Sequence, residues 1–361
     1  MKKLAILFLF ILYPVSLYAK PIKVIYIPPG HTGYWGATAA PLPAVAKQLG
    51  LDVTVIPAKL LKENYLDVIK RVVTSAEKPD WIIWTQRRND PKVILDMFEK
   101  HNIKSIDVTS GFLDYDRKNI GHPQQFYSHW IAQVVNNEYL AGQRIATELI
   151  NRRKHLVPND LVKMIAIAGD KATKAAQNTL LGLQQAFGNE KNAMLIQTVF
   201  AHWKKNTAQT MTRKLFQRHQ RLDVIWAGNT AIALGITEQL NKMAFNTYPK
   251  PLVANLGWNN AIFNQIKAGN IAFSMGGNHL SAMWALILIH DHEHGYKIAP
   301  TLEATLFSTP YVKATRENIE QLTPFLQSEP WSNINIKPFS KVYNPALTTY
   351  NFDLSLILPK Q

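Results

Sequence analysis

Residues 223–260, DVIWAGNTAIALGITEQLNKMAFNTYPKPLVANLGWNN, constrain the fold more than any other stretch. Residues 224–227 are a short apolar run of strand type, closed by Gly228-Asn229-Thr230. Residues 231–243 then place Ile232, Leu234, Ile236, Leu240 and Met243 at helical spacing. A second apolar run, 252–256, ends at Gly257-Trp258-Asn259-Asn260. Strand, polar turn, helix, strand, polar turn is a βαβ unit, and strands joined through a helix run parallel. Both polar turns fall at carboxyl ends of strands, where open α/β sheets bind ligands.

The same alternation fills most of the chain. Strands are expected at 22–27, 53–56, 81–84, 105–108 and 130–135, with helices at 37–49, 60–76, 91–101 and 139–152 between or after them. A second series has strands at 164–168 and 194–199 and helices at 175–187 and 207–218, and runs into the 223–260 unit. Beyond it lie a helix at 261–268, a strand at 271–275 and a long helix at 281–294. The pattern predicts doubly wound parallel sheets. Residues 110–126 read as irregular. Residues 301–361 read as a Pro-, Ser- and Asn-rich tail with short strands at 305–307 and 354–358.

The chain has 361 residues, which suits two domains of ordinary size. Lys2 and Lys3 precede an apolar run, 4–12, too short to span a bilayer, and Pro14 breaks it. Residues 1–19 are therefore read as a signal peptide cleaved after Ala19, with a retained N-terminal anchor as the alternative because Leu17 is large for its place. There is no cysteine, so a lipid-modified N-terminal cysteine is excluded. An exported soluble chain without an anchor implies a periplasm. The net charge is +15, but the basic clusters are short and scattered (Arg87-Arg88, Arg152-Arg153-Lys154, Lys204-Lys205). They read as solvated faces, and no nucleic-acid partner is expected; attraction to an anionic membrane surface stays open.

Enzymatic signatures are missing: the sequence has no GxSxG, P-loop, CxxC or GxGxxG. No catalytic residue, cofactor or metal is assigned. His290-Asp291-His292-Glu293-His294 is the densest histidine cluster. On a helix only His290 and His294 share a face, and the order is not HExxH.

The order of these pieces resembles the type I periplasmic binding proteins, the ribose- and galactose-binding family with its autoinducer-2-binding branch. The resemblance rests on GYW after the first strand, NNEYLAGQRIA, IAGDKATKAAQNTLLGLQQAF, WAGNTAIALG and NLGWNNAIFNQIKAGNIAFSMGG, and spans residues 20–299. It implies two Rossmann-like α/β lobes joined by a three-crossover hinge, with the ligand between them. The first lobe would hold residues 20–134 and 278–306. The second would hold 135–277 and 307–361, tail included. The ligand contacts it implies are His31, Tyr34 and Trp35, then Gln86 and Arg87, then Asn136 and Asn137. From the second lobe come Lys174, Asn178, Thr179, Trp203, Asn229, Thr230, Trp258 and Asn259, with Asn278 at a later crossover. Of these, Trp35 and Trp258 would stack on the ligand, whereas Trp81 and Trp84 read as core.

The sequence departs from the sugar binders at Asn229-Thr230, where they carry Asn-Asp, and at Gly257-Trp258-Asn259, where they carry Gly-x-Asp. An arginine usual before Gly182 is absent, and the later crossover reads Gly276-Gly277. With those charges lost, a neutral sugar-like ligand fits better than a charged one. The implied partner is the permease of an ABC transporter, or alternatively a membrane sensor such as a histidine kinase. A periplasmic hydrolase is the enzyme-class alternative.

Overall fold

A computed structural model describes residues 20–58, 64–86, 91–158, 160–188, 190–245, 248–326 and 329–357. The leader, 1–19, and Arg87 lie outside the described residues. The first half runs β1 (Ile22–Ile27), α1 (Tyr34–Ala39), α2 (Leu42–Leu49), β2 (Leu51–Val55), α3 (Tyr65–Val73), β3 (Trp81–Trp84), α4 (Pro91–His101), β4 (Lys104–Thr109), α5 (Asp114–Ile120) and β5 (Trp130–Asn136). Next come α6 (Glu138–Leu156), β6 (Val162–Ala168), α7 (Lys174–Gln185), β7 (Ala193–Phe200), α8 (Lys205–Arg218), β8 (Val224–Ala227), α9 (Thr230–Leu240), β9 (Leu252–Leu256), α10 (Asn260–Lys267) and β10 (Phe273–Gly276). The remainder is α11 (Ser281–Glu293), β11 (Leu306–Thr309), β12 (Val312–Ala314) and α12 (Ile319–Leu322).

Two sheets result. The first is ordered β11-β5-β4-β3-β1-β2, the second β12-β10-β9-β8-β6-β7. All pairings are parallel except β12 on β10. The strands read as unbroken apolar runs because helices cover both faces: β3 (WIIW) and β8 (VIWA) are buried at every position. Strand order reverses between β1 and β3 in one sheet and between β6 and β8 in the other. The turns after these four strands are where a doubly wound sheet opens a crevice. The chain passes between the sheets three times, at 136–138, 276–281 and 309–312.

Several boundaries differ from the sequence reading. The irregular stretch 110–126 contains α5, and the strand expected at 354–358 is a 3-10 turn at Leu354–Ile357. The tail is also on the other lobe. β11 extends the first sheet, and only β12 joins the second. Past Ala314 the tail first touches α10 of the second lobe, where Glu320 pairs with Lys267 at 2.6 Å, and then packs on α2 and α11, which lie on the first sheet. The reason is α11 itself. Its sequence, SAMWALILIHDHE, is apolar on every side, and a helix of that kind must be covered all round. One side faces β3, β4 and β5. The tail covers another: Trp284 stacks on Phe352 at 5.0 Å and meets Phe339 at 4.8 Å.

Polar anchors fix the tail. Buried Asp291 accepts hydrogen bonds from Ser340 Oγ (2.5 Å), the Lys341 amide (2.6 Å) and Tyr350 Oη (2.9 Å). Glu293 accepts from Trp81 Nε1 at 3.0 Å and pairs with Lys104 at 2.6 Å. The histidine-rich segment therefore serves as a docking strip. In the second crossover, buried His279 donates from Nε2 to the Phe325 carbonyl at 3.0 Å.

Two predictions follow from these anchors. Asp291→Ala leaves three donors without their acceptor and should cost about 3 kcal/mol or more, read as a lowered urea midpoint with early proteolysis past residue 314. Burial pushes the His279 imidazole down to about 4. Between pH 6.5 and 4 the unfolded chain binds a proton that the folded site refuses, so stability falls as pH drops through that window, by about 3 kcal/mol in all. His279→Gln should remove that component of the slope in pH-dependent urea denaturation.

Candidate ligand cleft

The carboxyl ends of both sheets converge on the crossovers. In the first lobe β1 runs into a buried Pro28-Pro29-Gly30 turn and then α1. The Trp35 ring lies against Gly30, where an added β-carbon would sit 3.0 Å from Trp35 Cδ1. Tyr34 meets Trp35 edge-on at 5.0 Å. Its hydroxyl donates to the Asn278 carbonyl at 3.0 Å and faces the Thr109 and Asn136 side chains. Burial drives its pKa up, so it stays a neutral phenol. Tyr34 is thus a hinge pin tying the first-lobe loop to the second crossover.

The second lobe places a tryptophan on a glycine twice. After β6, a β-carbon on Gly169 would fall 2.1 Å from Trp203 Cη2; after β10, one on Gly276 would fall 2.2 Å from Trp258 Cγ. The two rings differ in exposure. Trp203 is half-buried, in a loop where His202 (φ 48°) and Trp203 (φ 63°) are both left-handed. Two such bulky residues in a row are rare, and strain of this kind collects at functional sites. Trp258 is 5% exposed, packed near Phe263 and His279. It is therefore core rather than the open stacking platform expected from sequence. Its Nε1 is buried and donates to no described residue.

The asparagines have structural duties. Asn229 Oδ1 and Asn259 Oδ1 each cap a helix, accepting from the Ile232 and Ile262 amides at 2.8 Å. Asn137 Oδ1 does the same for Leu140 at 3.1 Å. These are ordinary N-caps, and each leaves an amide NH2 on the strand-end side of its helix. Thr230 and Asn278 come together over Gly257: a β-carbon there would lie 3.2 Å from Thr230 Cγ2 and 3.9 Å from Asn278 Oδ1. Asn136 is different. It is 4% exposed, its Nδ2 donates to the Thr109 carbonyl at 3.0 Å, and its Oδ1 accepts from Thr309 Oγ1 at 3.0 Å. Expected as a ligand contact, it is engaged at both ends within the protein. Thr179 likewise turns its hydroxyl back to the Ala175 carbonyl at 3.0 Å. His31 is exposed and Gln86 half-buried, each at its strand-end turn.

An ion pair joins helices of the two lobes. Lys174 Nζ, at the start of α7, meets Asp114 of α5 at 2.6 Å. Beneath it is a residue the sequence reading missed. Glu138, the first residue of α6, is 4% exposed and faces the Asn178 side chain. An acidic residue in a first helical turn ordinarily signals nothing but favourable placement near the helix dipole; here the burial, invisible in sequence, is what sets it apart. Two open hollows are of about 310 Å³ beside residues 295–299 and about 500 Å³ between α6 and the β10–β12 edge, and neither is lined by Trp35, Trp203, Asn137, Asn229 or Asn259.

The profile of the periplasmic binding protein domain matches residues 22–289. The chain belongs to this family. Among solved structures, a periplasmic sugar-binding protein from Pseudomonas fluorescens is 22% identical with a TM-score of 0.80, covering 93% of this chain and 99% of that one. An ABC transporter periplasmic solute-binding protein from Actinobacillus succinogenes 130z with bound D-allose is 16% identical (TM-score 0.69; 83% and 99%). The binding component of the arabinose ABC transporter from Shewanella sp. ANA-3, bound to L-arabinofuranose, is also 16% identical (TM-score 0.68; 86% and 97%). At these identities the likeness establishes the fold of this family member, two parallel-dominated α/β lobes. No curated protein matches the sequence.

The paired glycines give a test. Gly276→Ala drives a β-carbon into the buried Trp258 ring and should lower unfolding free energy by about 1–3 kcal/mol. Gly169→Ala displaces the half-exposed Trp203 ring instead. Its cost in urea denaturation should be clearly smaller than that of Gly276→Ala.

Proposed function

We propose that this protein captures a small neutral polar ligand, a sugar or sugar-like compound, between its lobes in the periplasm and delivers it to the permease of an ABC transporter. The observation that carries this reading is the set of amides and indoles at the carboxyl ends of both sheets, bridged across the gap by Lys174 and Asp114. Trp35 and Trp203 supply ring faces for a pyranose or furanose. Asn137, Asn229 and Asn259 supply NH2 donors whose orientation is fixed because their oxygens cap helices. D-Allose and arabinofuranose bound to members of the same fold support the ligand class. The protein itself carries out no reaction and uses no cofactor. Closure follows from tighter ligand binding to the closed form than to the open one.

A membrane sensor as partner is the second reading, and the tail favours it. His279 holds the Phe325 carbonyl, and Leu354 Cδ2 lies 3.9 Å from the place of a β-carbon on Gly277. The tail thus touches the second crossover, which turns when the lobes close. Sugar-dependent stimulation of a reconstituted permease ATPase supports delivery; stimulation of sensor autophosphorylation supports signalling.

The first test is a thermal-shift screen of residues 20–361 against D-allose, L-arabinose, D-galactose, myo-inositol, amino acids and small amines. A ligand at ~100-fold above its Kd adds about 2.7 kcal/mol of stability. Asn229→Asp and Asn259→Asp keep the capping oxygen but replace the NH2 donor. They should fold normally and lose at least tenfold in affinity for the ligand found. A shift that survives both changes places the site elsewhere. Response only to amines or amino acids sinks the sugar reading.

A further inference from the structure

One face of the second sheet is left partly bare. α6 and α7 pack on that face, against Ala166, Trp226 and Phe273, while α9 and α10 pack on the other. β12 adds a strand past α6, antiparallel to β10. Among the described residues no helix follows it on this face, because the chain crosses to α10, where Glu320 pairs with Lys267. A sheet edge that runs on beyond its covering helix leaves a trough. Here it is the hollow of about 500 Å³ between α6 and the β10–β12 edge, within the size range of small-molecule sites.

The two ends of the trough differ. Phe273, Met275 and Tyr311 form its bottom, each enclosed but for a few per cent of its surface. At one end Glu148 Oε1 takes both Arg152 Nε (2.9 Å) and Lys313 Nζ (3.3 Å), and the Arg152 guanidinium lies over the Phe273 ring at 5.0 Å. Arg152 also donates to the Ala272 carbonyl at 3.2 Å, so the charges at this end are met within the protein. One turn earlier on α6, Arg144 lines the trough as well. It is exposed and has neither hydrogen bond nor ion pair with any described residue. Gln143 and Thr147 stand beside it with side chains that can donate or accept.

We infer that the trough is a second ligand site, for a small aromatic carboxylate: the carboxylate pairs with Arg144, and the ring enters between α6 and β12 over Met275 and Tyr311. A planar guanidinium with no other partner matches the fork of a carboxylate. A thioether and two aromatic rings at the bottom suit a ring above them. Charge sets the class. A cationic ligand would meet Arg144 with nothing to offset it, since the one carboxylate lining the trough already serves Arg152 and Lys313. None of the candidate contacts of the cleft lines the trough, so this site goes beyond the sugar reading and does not depend on it.

Fluorine NMR titration of residues 20–361 tests the assignment with three probes of one shape: 4-fluorophenylacetate, 4-fluorobenzyl alcohol and 4-fluorobenzylamine. The acid should bind at least tenfold more tightly than the amine and at least threefold more tightly than the alcohol. Arg144→Gln should bring the acid down to the affinity of the alcohol and leave the alcohol where it was. Thr147→Trp places an indole in the trough from an exposed position on α6 and should abolish binding of all three. Both substitutions are on the helix surface, so urea midpoints should match wild type; if Thr147→Trp lowers its midpoint, the comparison of acid with alcohol in Arg144→Gln decides alone. Acid binding that survives Thr147→Trp in a normally folded protein lies elsewhere and overturns the assignment. An amine that binds as tightly as the acid overturns it too, as does an acid that shows no binding at millimolar concentration. A sugar that raises the melting temperature should leave the acid's Kd unchanged. Competition between the two would put the acid in the cleft, which sinks this site and leaves the sugar reading standing.

Discussion

The amide of Asn136 holds together the part of the molecule on which both lobes depend. It sits at the last residue of β5, where the chain leaves the first sheet for the first time. Its Nδ2 binds the carbonyl of Thr109, at the end of β4, and its Oδ1 takes the hydroxyl of Thr309, at the end of β11. Next to it the Asn137 amide donates to the Thr309 carbonyl at 2.9 Å. The first and third crossovers are therefore stitched side by side before either leaves the first lobe. Thr109 is itself held at φ 89°, a conformation that a β-branched residue adopts only under constraint. The second crossover is pinned separately, by the Tyr34 hydroxyl on the Asn278 carbonyl. All three hinge strands are thus fixed at their first-lobe ends. A rotation of the second lobe is left to the residues just beyond these bonds, which is the arrangement a hinge of a few element-terminal residues needs.

That anchoring also explains why polar residues near the crossovers divide into two kinds. Asn136 faces back into the first lobe and is used up. Asn137, Asn229 and Asn259 face helix amides with their oxygens only. A cap fixes χ1 and χ2, so the remaining NH2 is held in one direction, and any group that bonded it would cost less rotamer entropy. Glycine does the corresponding work for the rings. Without side chains at Gly169 and Gly276, indoles lie flat on strand-end backbone, one still open to solvent and one sealed.

The fold was legible because parallel sheets covered on both faces leave a strong trace. Runs such as WIIW and VIWA admit no amphipathic alternative, and turns rich in Gly and Asn separate them from helices of regular spacing. The placement of Asn137, Asn229 and Asn259 at strand-end turns followed from the same pattern. Individual roles did not. Nothing local distinguishes Asn136 from Asn137, since the difference lies in Thr109 and Thr309, the latter 173 residues away. Trp258 and Trp203 occupy equivalent-looking turns, and only the packing of His279 and Phe263 seals one of them. Glu138 carried no local signal, because its burial is a tertiary fact.

The tail was misplaced for a reason that the sequence did contain. A thirteen-residue helix with almost no polar face cannot end at a sheet surface; something must cover its outer side. Among the described residues α2 and the segment after β12 do so, and Phe339 and Phe352 of that segment supply apolar area against Trp284. A match over 93% of the chain to the Pseudomonas fluorescens protein extends past Ala314 into this segment, whereas the family profile stops at residue 289, inside α11. Because the covering segment also touches Gly277 and His279 in the second crossover, tail docking and lobe closure share residues. Any movement of that crossover must either carry Phe325 and Leu354 with it or break the His279 hydrogen bond. The tail is therefore mechanically part of the hinge, although its sequence lies outside the two repeated βα series.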